Sequence, residues 1–192
     1  MNLEVLHSNV DERGLVGAVQ AGDRSAFKAI YEHYEERIYN LIYYSVGDRA
    51  TAQDVLQIVF MKVYRGLGKF RFESQLATWI YRIAINECSN QNRRHGREHV
   101  PIEAVLGTGE EMDLGTAPDE MHLTEERRRI IGNALLAIGP NLRTVVVLRY
   151  LDGMSYQEIA DLLKCSPGTV ASRLSRALGQ LEERLRPLRR LL

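Results

Sequence analysis

From Asp11 to Asn92 the apolar residues return every three or four positions, and no stretch of the chain alternates apolar and polar residues as a half-buried strand does. That periodicity commits the first half to helices. Asp11 suits the N-cap of a short helix over about residues 12–21, closed by Gly22, and Asp23 suits the N-cap of a long helix reaching Val46. The long helix carries Phe27, Ile30, Tyr31, Tyr34, Ile38, Leu41 and Ile42 at helical spacing. Gly47-Asp48 breaks the chain. A third helix, about residues 50–67, puts Ala52, Val55, Leu56, Val59, Phe60 and Val63 on one side, and Gly66-x-Gly68 closes it. The loop from Lys69 to Gln75 leads into a fourth helix with Leu76, Trp79, Ile80, Ile83 and Ala84, of which Trp79 is assigned to the core. Residues 12–97 therefore read as a compact four-helix domain.

The periodicity stops at residue 98. Pro101, Gly107, Gly109, Gly115 and Pro118 punctuate residues 98–120, which read as an extended linker. Charge separates along the same boundaries. The 192 residues carry no formal net charge, but residues 98–126 hold 9 Asp+Glu and no Lys or Arg, whereas residues 127–192 hold 12 Lys+Arg against 5 Asp+Glu. A basic C-terminal third suits a polyanionic partner, and an acidic middle is repelled by one.

Helices resume near Met121 and define a second domain over residues 121–187. Ile130, Ile131, Ala134, Leu135 and Ile138 share a face, Gly139 ends that helix, and Pro140 opens the next, whose apolar residues are Val145, Val146, Leu148 and Leu151. After Asp152-Gly153 comes SYQEIADLLKCSPGTVASRLSRA. Ser155 with Glu158 forms a capping box ahead of the stripe Ile159, Leu162 and Leu163. Lys164-Cys165 is the turn, Ser166 caps a second helix, and Pro167 occupies its first position. Val170, Leu174 and Leu178 face inward; Ser172, Arg173 and Arg176 fall on other faces. A small apolar helix followed by an Arg-bearing one is the layout of a DNA-binding helix-turn-helix. A plain helical hairpin is the competing interpretation of this segment alone.

Enzymatic motifs are missing: there is no GxxxxGK[ST], HExxH or GxSxG, and Gly66-x-Gly68 is no dinucleotide fingerprint. The reading is not an enzyme, with no cofactor. His95 and His99 could join Cys88 around a metal, but this Arg- and Asn-rich stretch reads as a solvated helix end, and no metal is expected. There is no basic-then-apolar leader and no apolar run near the ~18 residues that span a bilayer. Cys88 and Cys165 read as free thiols, and the expected location is cytoplasmic, without membrane insertion.

Four separated strings carry a resemblance: GDRSAFKAIYEHY, DVLQIVFMKVYRGLGKF, TWIYRIAIN and GPNLRTVVVLRYLDGMSYQEIADLLKCSPGTVASRLSRA. Their order and gaps resemble a bacterial RNA polymerase sigma factor of the extracytoplasmic-function (ECF, group 4) class of the sigma-70 family, over about residues 12–186. The resemblance implies an all-α protein of two small helical domains, region 2 and the region 4 helix-turn-helix, joined by the acidic linker. Its expected partners are core RNA polymerase, double-stranded promoter DNA, the melted −10 single strand and an anti-sigma factor.

The resemblance also assigns roles. Asp54, Gln57, Met61 and Arg65 would dock on the polymerase clamp; the first three lie at three- and four-residue spacing on one helix face. Ile58 stands where relatives carry an acidic residue. The loop with Phe70, Arg71, Phe72 and Ser74 is similar to the one that captures a flipped −10 base, with Phe72-Glu73 where many relatives have Gly-Asp. Phe70 is either a wedge or a core residue. Asn86 would read a base edge, and Arg82, Arg93 and Arg94 suit phosphate contact. Arg149, Thr169, Ser172, Arg173 and Arg176 fall where relatives meet the −35 element, and Ala171 replaces a basic residue. The linker would thread the polymerase's active-site cleft and RNA exit channel as an acidic mimic of nucleic acid. Two rival classes remain at this point. One is a dimeric helix-turn-helix regulator that binds its operator alone; the other is an adaptor with an incidental helix-turn-helix.

Overall fold

The computed structural model describes residues 11–94 and 121–188. The linker assigned to residues 98–120, and with it His95 and His99, lies outside them. Among the described residues eight α-helices follow in order: α1 (Glu12–Gln20), α2 (Arg24–Val46), α3 (Arg49–Leu67), α4 (Leu76–Arg94), α5 (Met121–Leu136), α6 (Pro140–Val146), α7 (Tyr156–Leu163) and α8 (Pro167–Leu185). A five-residue π-helical turn, Val147–Leu151, continues α6, and a single 3-10 turn, Arg186–Leu188, follows α8. No strand occurs among the described residues.

The helix starts follow the capping chemistry of the sequence. The Asp11 carboxylate accepts the Gly14 amide at 3.0 Å, Asp23 accepts that of Ser25 at 2.7 Å, and Asp48 that of Thr51 at 2.7 Å. Each such bond satisfies a donor that the helix cannot satisfy itself, worth about 1 kcal/mol. Gly47 ends α2 with a φ of 79°, a conformation cheap only for glycine.

In the first bundle α2 packs against α1, α3 and α4. Ile30, Tyr34, Ile38 and Leu41 of α2 meet Val55, Val59 and Val63 of α3 and Leu76, Ile80 and Ala84 of α4, all buried as the periodicity predicts. The Tyr34 hydroxyl donates to the Glu12 carboxylate and ties α1 to α2. In the second bundle, α5 to α8 bury Leu135, Ile138, Val145, Leu148, Met154, Ile159, Leu162, Val170 and Leu174. The two cores merge: α6 and the π turn lie against α2, and α7 lies against α4.

Four sequence expectations shift. Leu151 is 54% exposed, not inward. The Asp152 amide bonds the Val147 carbonyl, five residues back, at 3.1 Å; this wider turn delays the next inward position by one residue, and Asp152 is buried in place of Leu151. Leu178 is also exposed, and Ala177 is buried. Steps of four residues overshoot a 3.6-residue turn, so two of them from Val170 leave the face that a step of seven keeps. Ile131 is exposed, a turn before the buried run Ala134–Leu136 begins. Gly68 closes α3 without a left-handed φ, and the glycine that matters is Gly66. A Cβ there would stand 2.6 Å from Trp79 Cζ2.

Gly66→Ala therefore forces the Trp79 ring aside, and overpacking of this kind costs about 1–3 kcal/mol, more than the helix propensity of alanine returns. Gly17, exposed in α1, has nothing near its absent Cβ. Urea unfolding should show Gly66→Ala less stable than the parent and Gly17→Ala more stable by about 0.5–1 kcal/mol.

Candidate nucleic-acid interface and docking face

On α3 the buried stripe leaves the opposite side open. Asp54, Gln57, Met61 and Arg65 are all exposed there, Met61 by 52%. Ile58 and Tyr64 are exposed beside them. Ile58 presents an apolar side chain on this face, 37% exposed. Together with Met61 it makes the centre of this face greasy and its ends polar, which is the composition of a protein-docking patch.

The loop between α3 and α4 is braced from both sides. The Gln20 amide donates to the carbonyls of Leu67 and Phe70, each at 3.0 Å. Phe70 sits 4.9 Å from Trp79 and 4.9 Å from Phe72, centroid to centroid. The Arg13 guanidinium lies over the Phe72 ring at 5.1 Å. Phe70 is therefore a half-buried member of an aromatic stack with Trp79. Phe72 has a φ of 55°, a left-handed backbone that a bulky residue adopts at a cost of about 1 kcal/mol or more. Arg71 is exposed and Ser74 half-buried on the same loop. Sequence reasoning missed Arg13 and Gln20, because their partners lie some fifty residues away and no local pattern announces them.

Along α4, Asn86, Arg93 and Arg94 are exposed and Arg82 half-buried. Arg93 donates to the Asn90 side chain at 2.9 Å. One Arg82 nitrogen donates to the Asp161 carbonyl of α7 at 3.4 Å, and its Nε is buried without a partner. Cys88, on the buried side, has its thiol pushed up to about 12 by burial and stays protonated.

The helix-turn-helix forms as its spacing predicts. Ser155 and Glu158 make the reciprocal capping box, Lys164 turns the chain with φ 52° and ψ 50°, and Ser166 caps α8 behind Pro167. On α8, Ser172 and Arg176 are exposed and Arg173 is half-buried. Ser172 donates to the Thr169 carbonyl at 2.9 Å, and the Thr169 and Ser166 hydroxyls bond each other at 2.9 Å. Arg149 is engaged within its own domain: it donates to the Met154 carbonyl at 2.8 Å and lies over the Tyr156 ring at 5.4 Å. This arginine braces the entry to the helix-turn-helix.

Arg82 and Asn86 of the first bundle and Arg173 of the second line one cleft of about 360 Å³ between the bundles. Ionisable groups are buried where the bundles touch. Arg143 of α6 is 0% exposed, its three guanidinium nitrogens have no hydrogen-bond partner, and burial pulls its pKa down to about 10 beside Tyr43 of α2. Asp152 is buried against Tyr81 of α4, with Arg37 of α2 nearby. Burial pushes its carboxyl up to about 7, with Tyr81 and Arg37 opposing. Sequence reasoning missed both, since neither lies in a motif.

Two family descriptions match the chain: Sigma-70 region 2 over residues 30–98, and Sigma-70 region 4 over residues 128–181. The chain is 34% identical over 183 residues to the ECF RNA polymerase sigma-E factor of Haemophilus influenzae, covering 92% of this chain and 96% of that protein. It is also 34% identical over 191 residues to the sigma-E factor of Escherichia coli K12, covering 95% and 98%. Among solved structures it shares the fold of CnrH, determined with the cytosolic domain of CnrY (TM-score 0.65, 21% identity, 92% of this chain and 97% of that one). It shares it too with RpoE of Bartonella quintana, determined with the anti-sigma factor NepR (TM-score 0.63, 24% identity, 83% and 96%). The class is thus that of transcription initiation factors. The chain belongs to the ECF sigma factors of the sigma-70 family, which direct RNA polymerase to promoters.

The buried Asp152 gives the seam a pH dependence. Its folded pKa lies above the ordinary carboxylate value, so the folded chain holds a proton that the unfolded chain releases. That stability is full below the unfolded pKa near 4 and is lost as pH rises through about 7. The parent should lose about 1.4 kcal/mol between pH 6 and pH 8 relative to Asp152→Asn, which carries no proton to lose. Chemical denaturation of both proteins at the two pH values checks it.

Proposed function

We propose that this sigma factor docks on core polymerase through the α3 face of Asp54, Gln57, Ile58, Met61 and Arg65, and reads a −35 element with Ser172, Arg173 and Arg176 of α8. Asn86 and the Phe70–Ser74 loop read and hold the melted −10 strand, and Arg82, Arg93 and Arg94 grip phosphate. Thr169 meets backbone or stays a local cap, and Arg149 acts by positioning the helix-turn-helix. Region 2 occupies residues 12–97, region 4 residues 121–187, and residues 98–120 link them through the polymerase. The factor works in the cytoplasm and performs no catalysis; the polymerase supplies the chemistry. No helix among the described residues is long and apolar enough to cross a membrane.

One observation carries the reading. The braced aromatic loop and the polar face of α4 stand in the same chain as a complete helix-turn-helix and an apolar-centred docking face. A dimeric regulator needs neither the loop nor the docking face. A left-handed Phe72 ringed by Arg13 and Phe70 is a preformed aromatic wall of the kind a flipped base can stack on.

The geometry adds a condition. Elements near −35 and −10 are about 25 base pairs apart, roughly 85 Å at 3.4 Å per pair. Here Asn86 and Arg173 line a single cleft. The bundles must separate for both elements to be read at once. Two neighbours in fold were solved with CnrY and with the anti-sigma factor NepR. We read from them an anti-sigma factor for this chain, one that favours the closed form.

In vitro transcription with core polymerase on genomic DNA should give discrete starts that share two spaced elements. DNA binding by the protein alone with no starts would support a conventional regulator instead. Asn86→Ala should relax base choice at one −10 position by about 1–3 kcal/mol and leave −35 choice intact. Ile58→Ser with Met61→Ser should weaken core binding about tenfold or more without lowering the unfolding temperature. Start-site sequencing checks the first, and competition against a reference sigma factor the second.

A further inference from the structure

Among the described residues, the cleft between the bundles is lined by three cations and no carboxylate. Arg82, Asn86, Ser89 and Asn92 come from α4; Asn141 and Thr144 come from α6, Lys164 from the turn after α7 and Arg173 from α8. Two acids lie close by but outside the lining. Glu87 is bound to Lys62 at 2.6 Å, and the Asp161 carboxylate accepts the Gln157 amide at 3.0 Å. Arg82 spends one long bond on a backbone carbonyl and keeps a buried, unpartnered Nε. Closing the bundles therefore gathers like charges with no carboxylate among the described lining residues, an arrangement that costs free energy unless an anion enters.

Lys164 is a second and independent sign. It caps α7 in the left-handed conformation, where glycine is the usual residue and any side chain costs about 1 kcal/mol or more. A residue that breaks a local preference marks a gain elsewhere. The chain has placed an ammonium group at the rim of this cleft in spite of the backbone cost. A basic residue at a helix C-terminus also favours the helix dipole, so the test below separates that effect from ligand binding.

We propose that the cleft binds a small phosphate-bearing anion, of diphosphate or nucleoside-diphosphate size, held by Arg82 and Asn86 from one bundle and by Lys164 and Arg173 from the other. A cleft of about 360 Å³ is within the range of small-ligand sites. Arginine forks match phosphate oxygens in pairs, and the asparagine amides add donors. An anion that touches both bundles binds the closed form more tightly than any open one, so it shifts the population toward closure. The same cations are then withheld from promoter phosphates. The anion would act as an inhibitor of promoter engagement before the polymerase is met.

The test uses the full chain without polymerase or DNA, so it stands or falls separately from the promoter-reading roles. Inorganic pyrophosphate is titrated into the protein by calorimetry in magnesium-free buffer, with sodium sulfate at matched ionic strength as the reference. Saturable binding at one site per chain is expected, at least about tenfold tighter than sulfate. Lys164→Gly keeps the turn, since glycine accepts the left-handed backbone, and should weaken pyrophosphate about tenfold while leaving the unfolding temperature unchanged or higher. Arg173→Gln should weaken it as much. Energy transfer between dyes on the two bundles should rise with pyrophosphate in the parent and not in Lys164→Gly. Three results would each overturn the proposal: heats no larger than those of sulfate, binding that survives Lys164→Gly, and binding that leaves the bundle separation unchanged.

Discussion

The burial of Arg143 and Asp152 between the bundles is the constraint on which the described arrangement turns. A guanidinium with no hydrogen-bond partner beside Tyr43, and a carboxyl against Tyr81, are costly to hold away from water. They are tolerated because α6 and the π turn complete a single apolar core with α2. The seam is hence a compromise. Its apolar part favours closure, its ionisable part favours release, and a modest force from outside can decide between them. On the proposed reading, such a balance would let the chain be compact when idle and extended on a promoter.

The helix-turn-helix and the loop between α3 and α4 are made in different ways. The helix-turn-helix is local: its caps, its turn and the exposed face of α8 lie within 23 residues, Ser155 to Ala177. The loop is assembled from afar, with Gln20 and Arg13 of α1 bracing Phe70 and Phe72 across half a bundle. Damage to α1 should therefore loosen this loop, though the two are far apart in sequence.

This difference explains what the sequence disclosed. Helix existence, caps and the bundle cores were legible because they depend on neighbours three or four positions apart, as with Asp48 and Thr51 or Ser155 and Glu158. The exposed face of α3 was legible as the complement of its buried stripe. The seam was not. Arg143, between Leu142 and Thr144, carries no sequence sign of burial, yet it is fully buried beside Tyr43 of α2. Lys164 is a turn residue in sequence, and only the fold gives it a left-handed backbone beside the cleft. Leu178 and Leu151 were misplaced for a simpler reason, the small errors of counting by fours and of assuming that every turn is an α-turn.

The π turn deserves one last deduction. A residue of α-helix advances the chain by about 100° around its axis, so the additional residue in Val147–Leu151 sets the angular phase of all that follows. Deleting one residue there would draw Asp152 off its inward position and pull Arg149 away from Met154 and Tyr156, while α6 still packs on α8. The length of this one turn thus lets a single helix end meet α2 on one side and hold the start of the helix-turn-helix on the other.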